Sequence, residues 1–128
     1  MAVWKLGVIE PVYHQLLRNA KKVETRAPDP SNPEKDYGLM MPGDELHFHA
    51  VDEEFKPIVD LPVLGFLADA VREYQTIEDC LRAEGLQLVF PGIASIEAAT
   101  QIYYSFPDYP ERIQKYGLVA AELGKRLF

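Results

Sequence analysis

Asn19-Ala20-Lys21-Lys22-Val23-Glu24-Thr25-Arg26 joins the end of a helix to the start of a strand. Upstream, Ala2–Val8 alternates and reads as a strand with Trp4 and Leu6 on one face. Glu10-Pro11 then opens a helix, because proline in the first turn lacks only an N–H that had no partner there. Val12, Tyr13, Leu16 and Leu17 form its apolar stripe, and Asn19 tolerates the left-handed conformation that ends it. Val23 and Thr25 favour extended backbone, so Lys22–Arg26 is expected to be a short strand stopping before Ala27-Pro28.

Downstream, Pro28-Asp29-Pro30-Ser31-Asn32-Pro33 is barred from a central strand by its prolines and reads as a semi-rigid loop beside Arg26. Pro42-Gly43-Asp44 turns into Glu45–Val51, where Leu46, Phe48 and Ala50 alternate with Glu45, His47 and His49. Phe55–Val59 is expected to pair back as a short strand. Pro62–Tyr74 is compatible with a long strand or a buried helix. Thr76 and Asp79 have the spacing of a capping box, and Gly85 ends the helix they start. Ser95 caps a helix carrying Ile96, Ala99, Ile102 and Tyr103, and a further helix starts at Pro110. Leu118–Leu123 is apolar on both faces and reads as a central strand. The order predicts an α+β fold with a mostly antiparallel sheet.

The 128 residues predict a single domain, 1–128, with 48% hydrophobic and 26% charged residues, ordinary for a folded chain. Thirteen Lys+Arg against twenty Asp+Glu give a net charge of −7, which argues against a protein that coats long duplex DNA by bulk charge. The charge is uneven. Residues 1–26 hold five basic and two acidic side chains, whereas the remainder holds eight and eighteen. Salt screens beyond about 8–10 Å, so an anionic ligand at Lys21–Arg26 responds to that local surplus. One cysteine, Cys80, and no signal-like or long apolar segment lead us to expect a cytoplasmic protein away from membranes.

Lys21, Glu24 and Arg26 bring two cations and a carboxylate together. Arg26 can grip a phosphate or a nucleobase edge, Lys21 can meet a phosphate as a point charge, and Glu24 can orient either cation or move a proton. The same trio also makes an ordinary surface ion-pair strip, worth about 0–1 kcal/mol. His47 and His49 share a strand face, yet two imidazoles fall short of the three or four ligands of a stable site, so no metal is expected. No phosphate-binding or dinucleotide glycine motif occurs, and no cofactor is expected. Tyr103, Tyr104, Phe106, Tyr109 and Tyr116 cluster late in the chain at spacings that suit core packing; Tyr104 or Tyr109 becomes a stacking ring for an unpaired base if it faces the Lys21–Arg26 strand, and Tyr104 is the one assigned to the site.

The run resembles the G-x-K-x-x-E-x-R signature of the ASCH domain family of small PUA-like β-barrels, with Asn19 in the glycine position. Pro42-Gly43-Asp44, Tyr74-Gln75-Thr76-Ile77-Glu78, Ala83-Glu84-Gly85-Leu86, Phe90-Pro91-Gly92 and Tyr116-Gly117-Leu118-Val119-Ala120 continue the resemblance, in order, over nearly the whole chain. It implies a closed or nearly closed barrel of mostly antiparallel strands with helices outside. It implies RNA or a modified nucleoside as partner, bound in a cleft lined by the signature residues Lys21, Glu24 and Arg26; we expect Glu84 to border that cleft and Tyr104 to be the ring that meets a base. A hydrolytic branch of the family cleaves the amide of acetylcytidine with a Lys, a Thr and a Glu, and other members are reported as ribonucleases. Their pattern places Lys21, Glu24 and Glu84 as catalytic candidates. Glu24 stands where that branch has its Thr, and Thr25 is one residue away on the opposite strand face.

Overall fold

The computed structural model describes residues 1–128 and contains a five-stranded mixed sheet. In chain order the elements are β1 (Val3–Ile9), α1 (Glu10–Leu17), β2 (Val23–Arg26), β3 (Glu45–Val51), β4 (Leu64–Tyr74), α2 (Ile77–Glu84), α3 (Leu86–Val89), α4 (Ile96–Tyr104), α5 (Tyr109–Tyr116) and β5 (Leu118–Arg126), with a 3-10 turn at Tyr37–Leu39. The strands lie in the order β1-β3-β4-β5-β2. Only β1 and β3 pair in parallel; the other neighbours are antiparallel. The α+β class and the mostly antiparallel sheet are as expected.

The sheet curls into a half-barrel whose two edges, β1 and β2, share no ladder. The expected barrel of mostly antiparallel strands with helices outside is present in this half-barrel form, open along one seam. β2 is only four residues long before Ala27-Pro28 and pairs with β5 alone; the Thr25 amide goes to the Glu24 carboxylate rather than to a partner strand. The segment Phe55–Val59 forms no strand either; a lone bridge joins Val51 to Pro57, and Phe55 sits at φ 62° in a turn. The ambiguous Pro62–Tyr74 stretch is the eleven-residue β4, irregular between Phe66 and Ala70. Leu86–Val89, not assigned from sequence, is one helical turn.

The sheet separates two apolar layers. Trp4, Leu6, Val8, Leu46, Phe48, Ala50, Val119 and Ala121 line the inner face with Tyr13 and Leu16 of α1. Val23, Leu118 and Ala120 face the other way, against Cys80, Leu81, Ala99, Tyr103 and Ile113 of the helices. β5 is therefore buried on both faces, as its unbroken apolar run requires. Thr76 and Ser95 cap α2 and α4 by accepting from the Asp79 and Ala98 amides. Asp44, beyond its role in the turn, accepts from Ala2 N, Met41 N and Trp4 Nε1, pinning the start of β1 to the entrance of β3.

Gly117 couples α5 to the central strand. Its φ is 73°, and a β-carbon there would lie 2.1 Å from the Tyr74 carbonyl oxygen. Strain at such positions is typically 1–3 kcal/mol, and the backbone clash adds to it. Gly117→Ala is expected to destabilise the protein by at least ~2 kcal/mol in urea unfolding, whereas Gly92→Ala, which meets nothing within 4 Å, loses less.

Candidate functional site

Asn19 adopts φ 59°, ending α1 as its sequence position suggested, and the turn that follows delivers Lys21 ahead of β2. Within β2, Glu24 pairs opposite Ala121 and Arg26 opposite Val119, so both point to the inner side of the half-barrel. Thr25 points to the helices, where its hydroxyl shares a 2.5 Å hydrogen bond with that of the buried Tyr103.

Lys21, Glu24 and Arg26 converge on one carboxylate. Lys21 Nζ lies 3.7 Å from Glu24 Oε1, and an Arg26 terminal nitrogen lies 3.3 Å from Glu24 Oε2. Glu24 Oε1 also accepts from the Thr25 amide at 2.9 Å. Lys21 donates to the Val89 carbonyl at 2.5 Å and sits over the Phe90 ring, 5.4 Å from its centre. Arg26 reaches across the open seam and donates to the Gly7 carbonyl of β1 at 2.9 Å. The Glu24–Arg26 pair thus satisfies one backbone group on each sheet edge, bridging strands that have no ladder between them. Residues 27–40 arch over this region. Arg112 donates to the Ala27 and Pro28 carbonyls, and Tyr37 packs beside Trp4 in the inner core.

Exposure separates the three side chains. Those of Lys21 and Glu24 are 4% and 8% exposed, and that of Arg26 is 18% exposed. Burial lowers the Lys21 pKa, outweighing the attraction of Glu24. Burial pushes Glu24 up, but Lys21 and Arg26 together hold it below the usual carboxylate range. Burial also opposes the charge on Arg26, and Glu24 more than restores it.

Glu84 lies elsewhere. Its carboxylate takes a two-pronged contact from Arg72, at 2.6 and 2.7 Å, and a 2.5 Å hydrogen bond from the Tyr74 hydroxyl. The Arg72 hydrogen bonds hold its pKa low, and burial together with Glu84 pushes the Tyr74 hydroxyl up to about 12. It makes no hydrogen bond or ion pair with Lys21, Glu24 or Arg26, so the three catalytic candidates do not come together as one set; the second partner of Lys21 is the Val89 carbonyl. Tyr104, half exposed, lines a surface depression of about 540 Å³ with Thr76, Glu78 and Gln114, apart from the trio. Tyr109 does face the strand end, its hydroxyl accepting from Ala27 N, but it is buried against Tyr103 and Phe106. Cys80 is fully buried, and burial, then Glu84, push its thiol up to about 12, as befits a small core residue. No group of three or more His, Cys, Asp or Glu has metal-binding geometry.

Three members of the site carried weak sequence signals. Val89 and Phe90 reach Lys21 only through the long-range docking of α3. Gly7 interrupts the Trp4/Leu6/Val8 strand, and a glycine inside a strand marks close approach by another group; here that group is Arg26 from one side and His49 from the other.

No protein-family model matches the sequence, and no curated protein matches it. Solved structures do. The crystal structure of hypothetical protein PH0355 superimposes with a TM-score of 0.73 at 30% identity, covering 94% of this chain and 96% of that one. The solution structure of Protein PF0455 from Pyrococcus furiosus gives a TM-score of 0.68 at 32% identity, covering 98% and 97%. The shared architecture is a curled half-barrel compatible with a PUA-like fold.

Stability should report the trio's electrostatics. Glu24 and Glu84 titrate below their unfolded value of about 4.5, so the stability they contribute is present above that pH and is lost as pH falls through their folded values. Lys21 has the opposite history. Its folded pKa lies below 10.5, the folded state binds fewer protons in that interval, and stability rises with pH across it. Glu24→Ala, which leaves Lys21 buried beside no carboxylate, is expected to cost about 3–5 kcal/mol at pH 7. Chemical denaturation of the wild type and this variant from pH 3 to 10 checks both statements.

Proposed function

The chain belongs to the family of hypothetical protein PH0355 and Protein PF0455, and on that premise we propose that it is an ASCH-type, PUA-like domain that binds single-stranded RNA or a modified nucleoside at the seam between β1 and β2. The observation that supports this reading is the free edge of Arg26. One terminal nitrogen is engaged by Gly7 and Glu24. The other terminal nitrogen and Nε have no partner within the protein, yet no buried side-chain polar atom is left unsatisfied. Those donors therefore reach solvent, in a guanidinium whose orientation is already fixed. A planar fork held this way suits a pair of acceptor atoms on a base edge or a phosphate.

Binding is favoured over hydrolysis. Burial shifts Lys21 in the direction a general base needs, but its ammonium is committed to Val89 and sealed under Phe90. Glu24 replaces the hydroxyl of the hydrolytic branch, and the Thr25 hydroxyl is held by Tyr103 on the other strand face. Glu84 is clasped by Arg72 and Tyr74. A net charge of −7 suits a short single strand or one base, where edge bonds and stacking specify more than charge does, rather than long duplex DNA.

Arg26→Gln is expected to weaken binding of an eight-nucleotide single-stranded RNA, and of cytidine monophosphate, at least about tenfold, the value of a good two-point contact. Arg26→Lys should recover only part, since it keeps the charge and loses the fork. Titration calorimetry with thermal unfolding as the folding control measures this. Affinity within twofold of wild type in a folded Arg26→Gln variant overturns the site.

A further inference from the structure

The inner alternation of β1 and β3 leaves Lys5, Gly7, His47 and His49 on the opposite, outer face of the sheet. None of these belongs to either apolar layer, and the face carries neither of them. The pairing register puts Gly7 beside His49, Lys5 beside His47, and His47 beside Gly65.

Two glycines shape this face. At Gly7 a β-carbon would lie 3.2 Å from His49 Nε2, so the imidazole rests against the backbone whose carbonyl Arg26 holds. At Gly65 a β-carbon would fall 2.5 Å from the Phe128 ring, so that ring lies down on β4 and stays half exposed. His47 meets Phe128 edge-on, with centres 5.0 Å apart, and is steadied by a 2.9 Å contact to Glu45. The His49 imidazole makes no hydrogen bond within the protein. From the seam, where Arg26 reaches the Gly7 carbonyl, the outer face presents a strip of His49, Lys5, His47 and Phe128 in turn, with the Glu45 carboxylate beside His47. Interleaved cations and rings are the physical requirement for holding an unpaired polynucleotide, because each base has a face to stack and each phosphate a charge to meet.

Resting on the seam reading above, we infer that the RNA strand continues from Arg26 over the outer face of β1 and β3, its bases stacking on His49, His47 and Phe128 and its backbone meeting Lys5. The ligand is then an unpaired run of several nucleotides rather than a lone nucleoside. A duplex, whose bases are already stacked on each other, gains nothing from the rings. An acidic peptide would use only the cations.

His47→Ala/His49→Ala and Phe128→Ala test this by fluorescence anisotropy with a labelled eight-nucleotide single-stranded RNA, beside NMR titration with cytidine monophosphate. The expected result is a loss of at least tenfold for the octamer in each variant, with monophosphate affinity within twofold of wild type, since one stacked base contributes about that much. Octamer affinity unchanged in both folded variants, while Arg26→Gln still loses it, overturns the strip and leaves the seam standing. No binding of either probe by wild type overturns both. A poly-glutamate peptide that binds wild type as tightly as the octamer, and loses as much in Lys5→Ala as the RNA does, overturns the stacking role in favour of an acidic partner.

Discussion

The Glu24 carboxylate is the one group on which the seam depends. It stands between an ammonium and a guanidinium, both largely withdrawn from water, and also takes the Thr25 amide of its own strand. Burying a lone ammonium is too costly to sustain, so Lys21 holds its position only because Glu24 and the Val89 carbonyl face it. Arg26 stays aimed at Gly7 because Glu24 takes the other hydrogen of the same nitrogen. Remove the carboxylate and two cations face each other across an apolar gap. The half-barrel is thus completed at its open side by charge and hydrogen bonding where a backbone ladder is missing.

That arrangement accounts for two of the five early cations of an acidic chain, Lys21 and Arg26. Hydrophobic burial alone could have sealed the seam more cheaply, since replacing a buried ion pair by packed apolar residues is often neutral or stabilising. Retaining three charges leaves something an apolar plug cannot: a guanidinium fixed in orientation, neutralised on one edge and open on the other. Under the proposed reading the buried members of the trio serve as the mounting, and Arg26 is the only one that meets a ligand.

Much of the fold was legible because it follows from local rules. The alternation of Leu46, Phe48 and Ala50, the two-faced run Leu118–Ala121, the caps at Thr76 and Ser95 and the Asn19 turn each carry their reason within a few residues. What escaped was set by distant partners. At the open seam the Glu24 carboxylate takes the Thr25 amide, and Arg26 donates to the Gly7 carbonyl, distant in sequence. Glu84 could not be assigned without knowing that β4 would lay Arg72 and Tyr74, two apart and hence on one face, beside the end of α2. The acid at that helix end, unfavourable against the dipole, is explained by its arginine. Tyr104 was grouped with its neighbours by composition, yet on α4 it points to the opposite side from Tyr103, which is the ring that reaches β2.

Under the proposed reading, a carboxylate at position 24, where the hydrolytic branch of the resembled family has a hydroxyl, does more than remove a nucleophile. A hydroxyl there would leave Lys21 with one neutral partner and a strong drive to shed its proton. A carboxylate draws the ammonium and the guanidinium onto itself, so the lysine is locked rather than poised, even though burial still depresses its pKa. The same carboxylate repels a phosphate that approaches its side and leaves the far edge of Arg26 as the attractive direction. The nitrogen that Glu24 holds is the one that faces Gly7, against whose backbone the His49 imidazole rests. Under the proposed reading, the carboxylate at position 24 favours a layout that holds a planar ligand at the boundary between the half-barrel's interior and its outer face over one that transfers protons.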